Sequence, residues 1–492
     1  MSPILLCCVV LGYFAVLLTV ARLASRNATS ESFFNGNKNS NWIVVAVGMI
    51  GTSLSGVTFV SVPGLVGDSG FYYFQLLVGQ LIGYLLVAYV LLPVFYRLNL
   101  SSIYAVLGLR MGPVSRACGA WLFLVSRCIG AAARLYLVII ILQESVLAGL
   151  GVSYWFTAAA TIALIVLYTY QGGVKAIIWT DLLQTVLMLT GLAAATWYLL
   201  HALDLSVLDS YRQMQERGLA KLVSHEVDSA YFWPKQLLAG MLIAVAMTGM
   251  DQEMMQKNIS VKSLRDSQKN VVSMALAMTA VVFVFLFLGG LLRLFADAQG
   301  LQVGGDRIFP TVVFNYMPEA MRLVFLIALI SALFPSADGA LTALTASYCI
   351  DIARLDQKST WSDARRLAFR RKVQLLFALM LFVLLVVLKL IDSNSIVNLI
   401  LRLAAITYGP LLGLFCFAVF SKRTVADRRV PVVIVAAPIL CFLLDEFQGR
   451  LFGSYRIGLE MLAINGALTL IGLLAISRPA PAPGVLVSPT MP

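Results

Sequence analysis

Long apolar runs separated by short charged ones organise this chain. Segments near 3–22, 42–66, 73–97, 117–147, 153–170, 178–202, 236–256, 270–296, 320–352, 372–391, 395–420, 430–446 and 458–477 are apolar enough to cross a bilayer. A helix rising about 1.5 Å per residue needs some 20 residues to span a hydrocarbon core of ~30 Å. The pattern therefore predicts about thirteen transmembrane helices and no soluble domain. Two segments break the apolar pattern. The 42–66 segment carries Gly48, Gly51, Thr52, Ser53, Ser55, Gly56 and Thr58, and the 320–352 segment carries Pro335, Ser336, Asp338 and Gly339. A carboxylate at mid-bilayer costs roughly 2.5–3.5 kcal/mol even on the lenient insertion scale, so Asp338 needs a cation, a basic side chain or a proton. Glycine, proline and hydroxyl residues at that depth expose backbone carbonyls and supply oxygens, which is the donor set that replaces the hydration shell of Na⁺. The competing reading of the Gly/Ser run is a close-packing face between helices.

Composition agrees with the pattern. Hydrophobic residues make up 60% and charged residues 12% of the 492, and the mean hydropathy is +0.89; both lie far outside soluble averages. The net charge of +12 follows topology rather than nucleic-acid binding. With the N-terminus outside and the C-terminus cytoplasmic, roughly 23 of the 36 Lys and Arg fall in inner loops and about nine in outer ones, as translocation requires. Pro3 to Val20 reads as a first helix, since no basic stretch precedes it and no small-residue cleavage site follows. The seven cysteines lie in or beside apolar spans without metal-ligand spacing and read as small core residues. Residues 479–492 read as a short disordered tail.

Ten central helices, the first of them interrupted, fit a transporter built from two inverted five-helix repeats. The first repeat covers 42–202 and the second 236–420, with a preceding helix at 3–22 and extra helices over 430–477. The second repeat opens on Gly240, Thr248, Gly249, Asp251 and Gln252.

One run is specific. Gln171, Gly172, Gly173, Val174, Lys175, Ala176, Ile177, Ile178, Trp179, Thr180, Asp181, Leu182, Leu183 and Gln184 combine Gly-Gly, Trp-Thr-Asp and Gln at fixed spacing. Trp42 through Pro63, Gln80, and Asp251, Gln252, Gln256 and Lys257 are supporting marks. On these residues the chain resembles the sodium:solute symporters over roughly 3–478, closest in feel to their sialic-acid branch. The resemblance implies an all-α LeuT-like fold, Na⁺ as coupling ion, and import of a small hydroxylated or carboxylated solute by alternating access.

Carried over by position, the family's shared sodium site falls on Gly51, Leu54, Ala332, Pro335 and Ser336. Pro335 stands where the family has a hydroxyl and offers only its carbonyl. A second site, found in some sialic-acid members, uses the signature aspartate, here Asp181; the matching helix hydroxyls are replaced by Pro335, Asp338 and Gly339. Two carboxylates near one cavity bind Na⁺ more tightly, or one of them carries a proton instead. Ser53, Ser55, Thr58 and Gln80 match positions that face the family's substrate cavity. Sialic-acid members place an arginine directly after Ile-Gly; here Ile129 and Gly130 precede Ala131, and Arg134 follows one turn on. A guanidinium there suits a carboxylate, while its alternative partner is Asp338 or another buried acid. Arg127 is expected to snorkel toward the cytoplasmic end. Arg402 reads as an ion-pair or gate residue, and Tyr408, Gly409 and Pro410 as a bend.

The chain is thus expected in a bacterial inner membrane, acting as a monomer on a small solute and Na⁺, with no nucleic-acid partner. An enzyme would need a catalytic cluster, yet His201 and His225 are the sole histidines and neither has ligand-spaced partners. No loop resembles a selectivity filter. A proton-coupled carrier and a transporter-like sensor are the alternatives.

Overall fold

A computed structural model describes residues 3–26, 33, 36–100, 102–143, 147, 151–358, 360–391, 396–453, 455 and 457–479. Most of the expected tail lies outside the described residues. In hydrocarbon every backbone amide and carbonyl must find a partner within its own segment, so the apolar runs become helices. They are α1 (Pro3–Ala24), α2 (Trp42–Ser53), α3 (Gly56–Ser69), α4 (Tyr73–Arg97), α5 (Pro113–Leu142), α6 (Tyr154–Tyr170), α7 (Gly173–Ala202), α8 (Trp233–Ala244) and α9 (Gln252–Ile259). There follow α10 (Leu264–Ala298), α11 (Glu319–Leu333), α12 (Pro335–Ser347), α13 (Asp363–Ile391), α14 (Ile396–Phe420), α15 (Val430–Phe452) and α16 (Met461–Ala475). Each of the thirteen apolar segments corresponds to one of these helices or to a broken pair.

Local chemistry sets the ends. Asn41, Ser153 and Ser263 accept the free amides at the starts of α2, α6 and α10. Gly173, at φ 51°, turns the chain between α6 and α7, where any Cβ would collide with Phe33.

Two spans are broken. α2 and α3 meet at Leu54 and Ser55 with a bend of 54°. α8 runs through a π-helical turn at Val245–Gly249 and stops at Met250, after which Asp251 caps α9 by accepting the amides of Glu253 and Met254. Each broken helix packs on the helix that follows the other: α3 on α10, and α8 on α4. The second contact is backbone-close, since a Cβ at Gly240 would strike the Leu76 carbonyl, and one at Gly79 or Gly83 would strike the backbone of Leu237 or Met241.

The expected interruption at Pro335 is absent. Phe334 is helical at φ −68°, ψ −39°, and its carbonyl accepts the amides of Ala337 and Asp338, each at 3.0 Å, so α11 and α12 form one span, Glu319–Ile352. Proline's fixed φ fits a helix; what it removes is the amide that the Ser331 carbonyl would accept. Pro410 likewise lies inside continuous α14. The share of each span buried in protein falls from 67% for Glu319–Ile352 to 22% for Asp427–Phe452, which puts the former at the centre and the latter at the lipid-facing edge.

Candidate functional site

A cavity of about 360 Å³ opens at the break between α2 and α3. Because α2 ends at Ser53, its last carbonyls have no continuing helical turn to bond. Ser53, Ser55 and Thr58 from the break, Gln80 from α4 and Arg134 from α5 all line this one cavity. Thr52, Tyr84, Arg127, Thr248 and Tyr408 are among its other polar lining residues, with Leu76, Leu77, Met247 and Val282 among the apolar ones. The Ser53 hydroxyl is buried and lies within reach of the Tyr84 phenol. Arg134 forms no ion pair among the described residues; the charged and phenolic groups within its electrostatic reach are Arg127, Tyr408 and Asp251.

Beside the cavity lies a chamber of buried charges. The signature helix α7 turns Asp181, Gln184 and Thr185 inward at i, i+3 and i+4, each fully buried, while Trp179 faces outward. Gly48 and Gly51 let α2 approach α7, since a Cβ at either would press on Asp181 or Thr185. Lys257 of α9 places Nζ 2.6 Å from Asp181 Oδ2, 2.7 Å from Thr52 Oγ1 and 3.4 Å from Glu253 Oε1. Thr52 donates to Asp181 Oδ2 at 3.1 Å. Asp181 Oδ1 is left without a partner among the described residues. Glu253 is paired with Arg127, which also lies 3.5 Å from Asp251, and Tyr408 donates to Asp251 at 3.0 Å. Asp338 accepts from the Tyr168 hydroxyl at 2.7 Å and from the Gly339 amide at 2.6 Å, with Asp181 and Lys257 within electrostatic reach.

These contacts correct two expectations. Arg127 is 4% exposed and ion-paired, so it does not snorkel; its carboxylate partners come from α9, more than a hundred residues away, and its position along α5 gave no sign of them. Asp338 is not paired with Arg134; a phenol and a backbone amide hold it.

Of the residues carried over for the sodium sites, Ala332, Pro335, Ser336, Asp338 and Asp181 are buried, as are Gly51 and Leu54 at the end of α2. α12 touches both α2 and the α6–α7 stretch that carries Asp181, so the helices contributing these oxygens do converge. The Ser336 hydroxyl donates to the Leu333 carbonyl at 3.0 Å, which leaves its lone pairs free to accept. The side chain of Arg402 lies outside the described part of the structure.

Thr52, Tyr168, Glu253 and Lys257 escaped sequence reasoning as site residues. For α9 a signal exists: Asp251 and Glu253 put two charges inside the apolar 236–256 segment, with Lys257 at its end, and charge at that depth is functional by default. Tyr168 gave none, being one tyrosine among eighteen. Among the described residues no cluster of His, Cys, Asp and Glu could hold a metal by itself.

Comparison with known proteins fits this geometry. The protein-family model described as "Sodium:solute symporter family" matches residues 33–427. A sodium/sialic acid symporter of Proteus mirabilis is 23% identical over 487 residues, covering 94% of each chain. The human sodium/iodide cotransporter is 24% identical over 441 residues, 83% of this chain and 65% of that one. A solved Na⁺-coupled sialic acid symporter, in a substrate-bound outward-open state, superposes with a TM-score of 0.82 at 19% identity, over 95% of this chain and 96% of that one. With the family matched over most of its length and the fold shared end to end, this chain belongs to the sodium:solute symporter family and is a Na⁺-coupled membrane transporter rather than an enzyme.

Proposed function

We propose that this transporter imports a hydroxylated monocarboxylate of the acidic-sugar class, with Arg134 binding the carboxylate and Ser53, Ser55, Thr58 and Gln80 binding hydroxyls. The observation that carries this reading is Arg134 itself: a guanidinium on the cavity wall, with no carboxylate of its own. A buried charge without a partner is costly, and a forked donor set matches a carboxylate better than any neutral group. The Proteus mirabilis relative, named for sialic acid, carries a solute of this class.

Na⁺ binds in two places in this reading. Oxygens of Gly51 and Leu54 from α2, with Ala332, Pro335 and Ser336 at the joint of α11 and α12, form one site. Asp181 and Asp338 form the other, where the orphaned Asp181 Oδ1 is an acceptor waiting for a cation. Two ions make energetic sense. A single Na⁺ moving with a monoanion gains nothing from the membrane potential, whereas a second restores ~2.3 kcal/mol per 100 mV. Adding ~1.4 kcal/mol for each ion per tenfold gradient, two Na⁺ support on the order of a 5,000-fold solute gradient.

The repeats run over 42–202 and 236–420, and the carrier works as a monomer in a bacterial inner membrane. The lysine and arginine distribution supports an external N-terminus and a cytoplasmic C-terminus. A thermal-shift panel tests the substrate class: N-acetylneuraminate and simpler sugar acids against their neutral counterparts, each in NaCl and in choline chloride. Acids are expected to stabilise the protein, and more strongly with Na⁺. Equal stabilisation by neutral sugars would sink the carboxylate reading.

A further inference from the structure

Lys257 occupies the kind of place an oxygen-coordinated cation takes. Its ammonium is held by Asp181 from α7 at 2.6 Å, Thr52 from α2 at 2.7 Å and Glu253 from α9 at 3.4 Å, and the residue is 3% exposed. All three partners are oxygens, two of them carboxylates. The cradle is not saturated, since Asp181 Oδ1 has no partner among the described residues. Glu253 lies one turn before Lys257 on the same helix face, so the ammonium can transfer from Asp181 to Glu253 by side-chain rotation, with no helix movement. Glu253 is fixed in that position from the other side: Arg127 pairs with it, and Gly339 of α12 is bare where any Cβ would overlap its carboxylate.

We propose that Lys257 is a tethered counter-ion: it holds Asp181 while the carrier is empty and withdraws to Glu253 when Na⁺ arrives. The proposal rests on the reading of Asp181 as a Na⁺ ligand. Two consequences follow from competition between a tethered and a free cation for one carboxylate. Apparent Na⁺ affinity is lower than the oxygens alone would give. An empty carrier can also reorient without leaving Asp181 bare in a low-dielectric interior, because its counter-ion travels with it. Lys257 is thus a positioning residue, acting on Na⁺ through Asp181.

Na⁺ alone suffices as the probe. Purified protein is titrated with NaCl at constant ionic strength in choline chloride, following melting temperature and intrinsic tryptophan fluorescence. Lys257→Gln is expected to lower the half-saturating Na⁺ concentration about tenfold, Lys257→Arg to stay near wild type, and Glu253→Gln, which removes the place of withdrawal, to raise it about threefold. A purely structural lysine would give lower stability in choline with an unchanged or weaker Na⁺ response. An unchanged or higher midpoint in Lys257→Gln overturns the proposal. Should that variant not accumulate, Glu253→Gln decides: no upward shift overturns it equally. If the wild type itself ignores Na⁺, the assignment of Asp181 falls first and takes this inference with it; if the wild type responds and the variants track it, the counter-ion alone is wrong.

Discussion

The cavity and the chamber beside it adjoin along Thr52, Arg127 and Tyr408, yet they carry opposite charge. The cavity presents hydroxyls, an amide and Arg134, which forms no ion pair among the described residues; Arg127 also lines it but is paired with the chamber's carboxylates. The chamber gathers four carboxylates, Asp181, Asp251, Glu253 and Asp338, around two bases, Arg127 and Lys257. With every group ionised the chamber has a formal surplus of two negative charges and the cavity a surplus of one positive charge. A low-dielectric interior does not tolerate such imbalances uncompensated. One compartment therefore suits an anion and the other suits cations, and filling both brings the interior close to neutrality. Coupling follows from that complementarity: each bound charge makes the other cheaper to bury, so the linkage is reciprocal.

Removing the cavity's charge is the strongest way to break the comparison. Arg134→Gln keeps a hydrogen-bonding side chain but cannot neutralise a carboxylate. Truncating one side of a desolvated ion pair typically costs 2–5 kcal/mol, so affinity for an acidic solute is expected to fall about 100-fold or more. Solute binding by isothermal titration in saturating Na⁺ checks this, and the Na⁺-only melting shift should survive. Retained affinity for acids would move carboxylate recognition to another residue.

Asp338→Asn tests the chamber. It preserves size, can keep the Gly339 amide on its Oδ1 while its Nδ2 donates to a reversed Tyr168 hydroxyl, and deletes one of the four negative charges. With one charge of surplus left, only one Na⁺ is expected to bind tightly. The Hill coefficient for Na⁺ in solute binding should drop from near two toward one, and the half-saturating concentration should rise about tenfold. A Na⁺ titration indistinguishable from wild type would remove Asp338 from the ion sites.

The contrast between compartments was only half legible in the sequence. Hydropathy locates the helices, and the Gly and hydroxyl residues at 48–58 mark the interrupted one; they serve both uses open to such residues in a membrane span, a break at Leu54 and a close approach of Gly48 and Gly51 to α7. The cavity wall is readable through the family resemblance, which puts Ser53, Ser55, Thr58 and Gln80 on it, and all four line the cavity. The chamber's wiring is not readable. Arg127 was misread because snorkelling is inferred from depth along a single helix, whereas its partners come from α9. Asp338 was sought by a base and found by a phenol, since nothing in a one-dimensional pattern says that α6 ends against α12. Pro335 and Gly339 suggest an interrupted helix, although proline's φ is helical and the cost can be confined to one carbonyl.

Pro335 offers the finest test, because it bears on the Na⁺ site proposed at the joint of α11 and α12 rather than on the one proposed between carboxylates. Pro335→Ser would introduce the hydroxyl that the family carries at this position and would also return an amide to the Ser331 carbonyl. The two changes act in opposite directions on oxygen supply: one ligand is gained on the side chain and one unbonded carbonyl is lost. Ser331 already uses its hydroxyl on Tyr13, at 3.2 Å, so its side chain does not compensate. A hydroxyl that can rotate toward the ion is a better ligand than a carbonyl fixed by the helix, and we expect tighter Na⁺ binding, by about threefold, or ~0.7 kcal/mol. The solute's dependence on Arg134 should not change, since the substitution lies in neither the cavity wall nor the chamber's ion pairs. Weaker Na⁺ binding in Pro335→Ser would mean that the Ser331 carbonyl is itself a ligand, and that proline is kept here to hold it free.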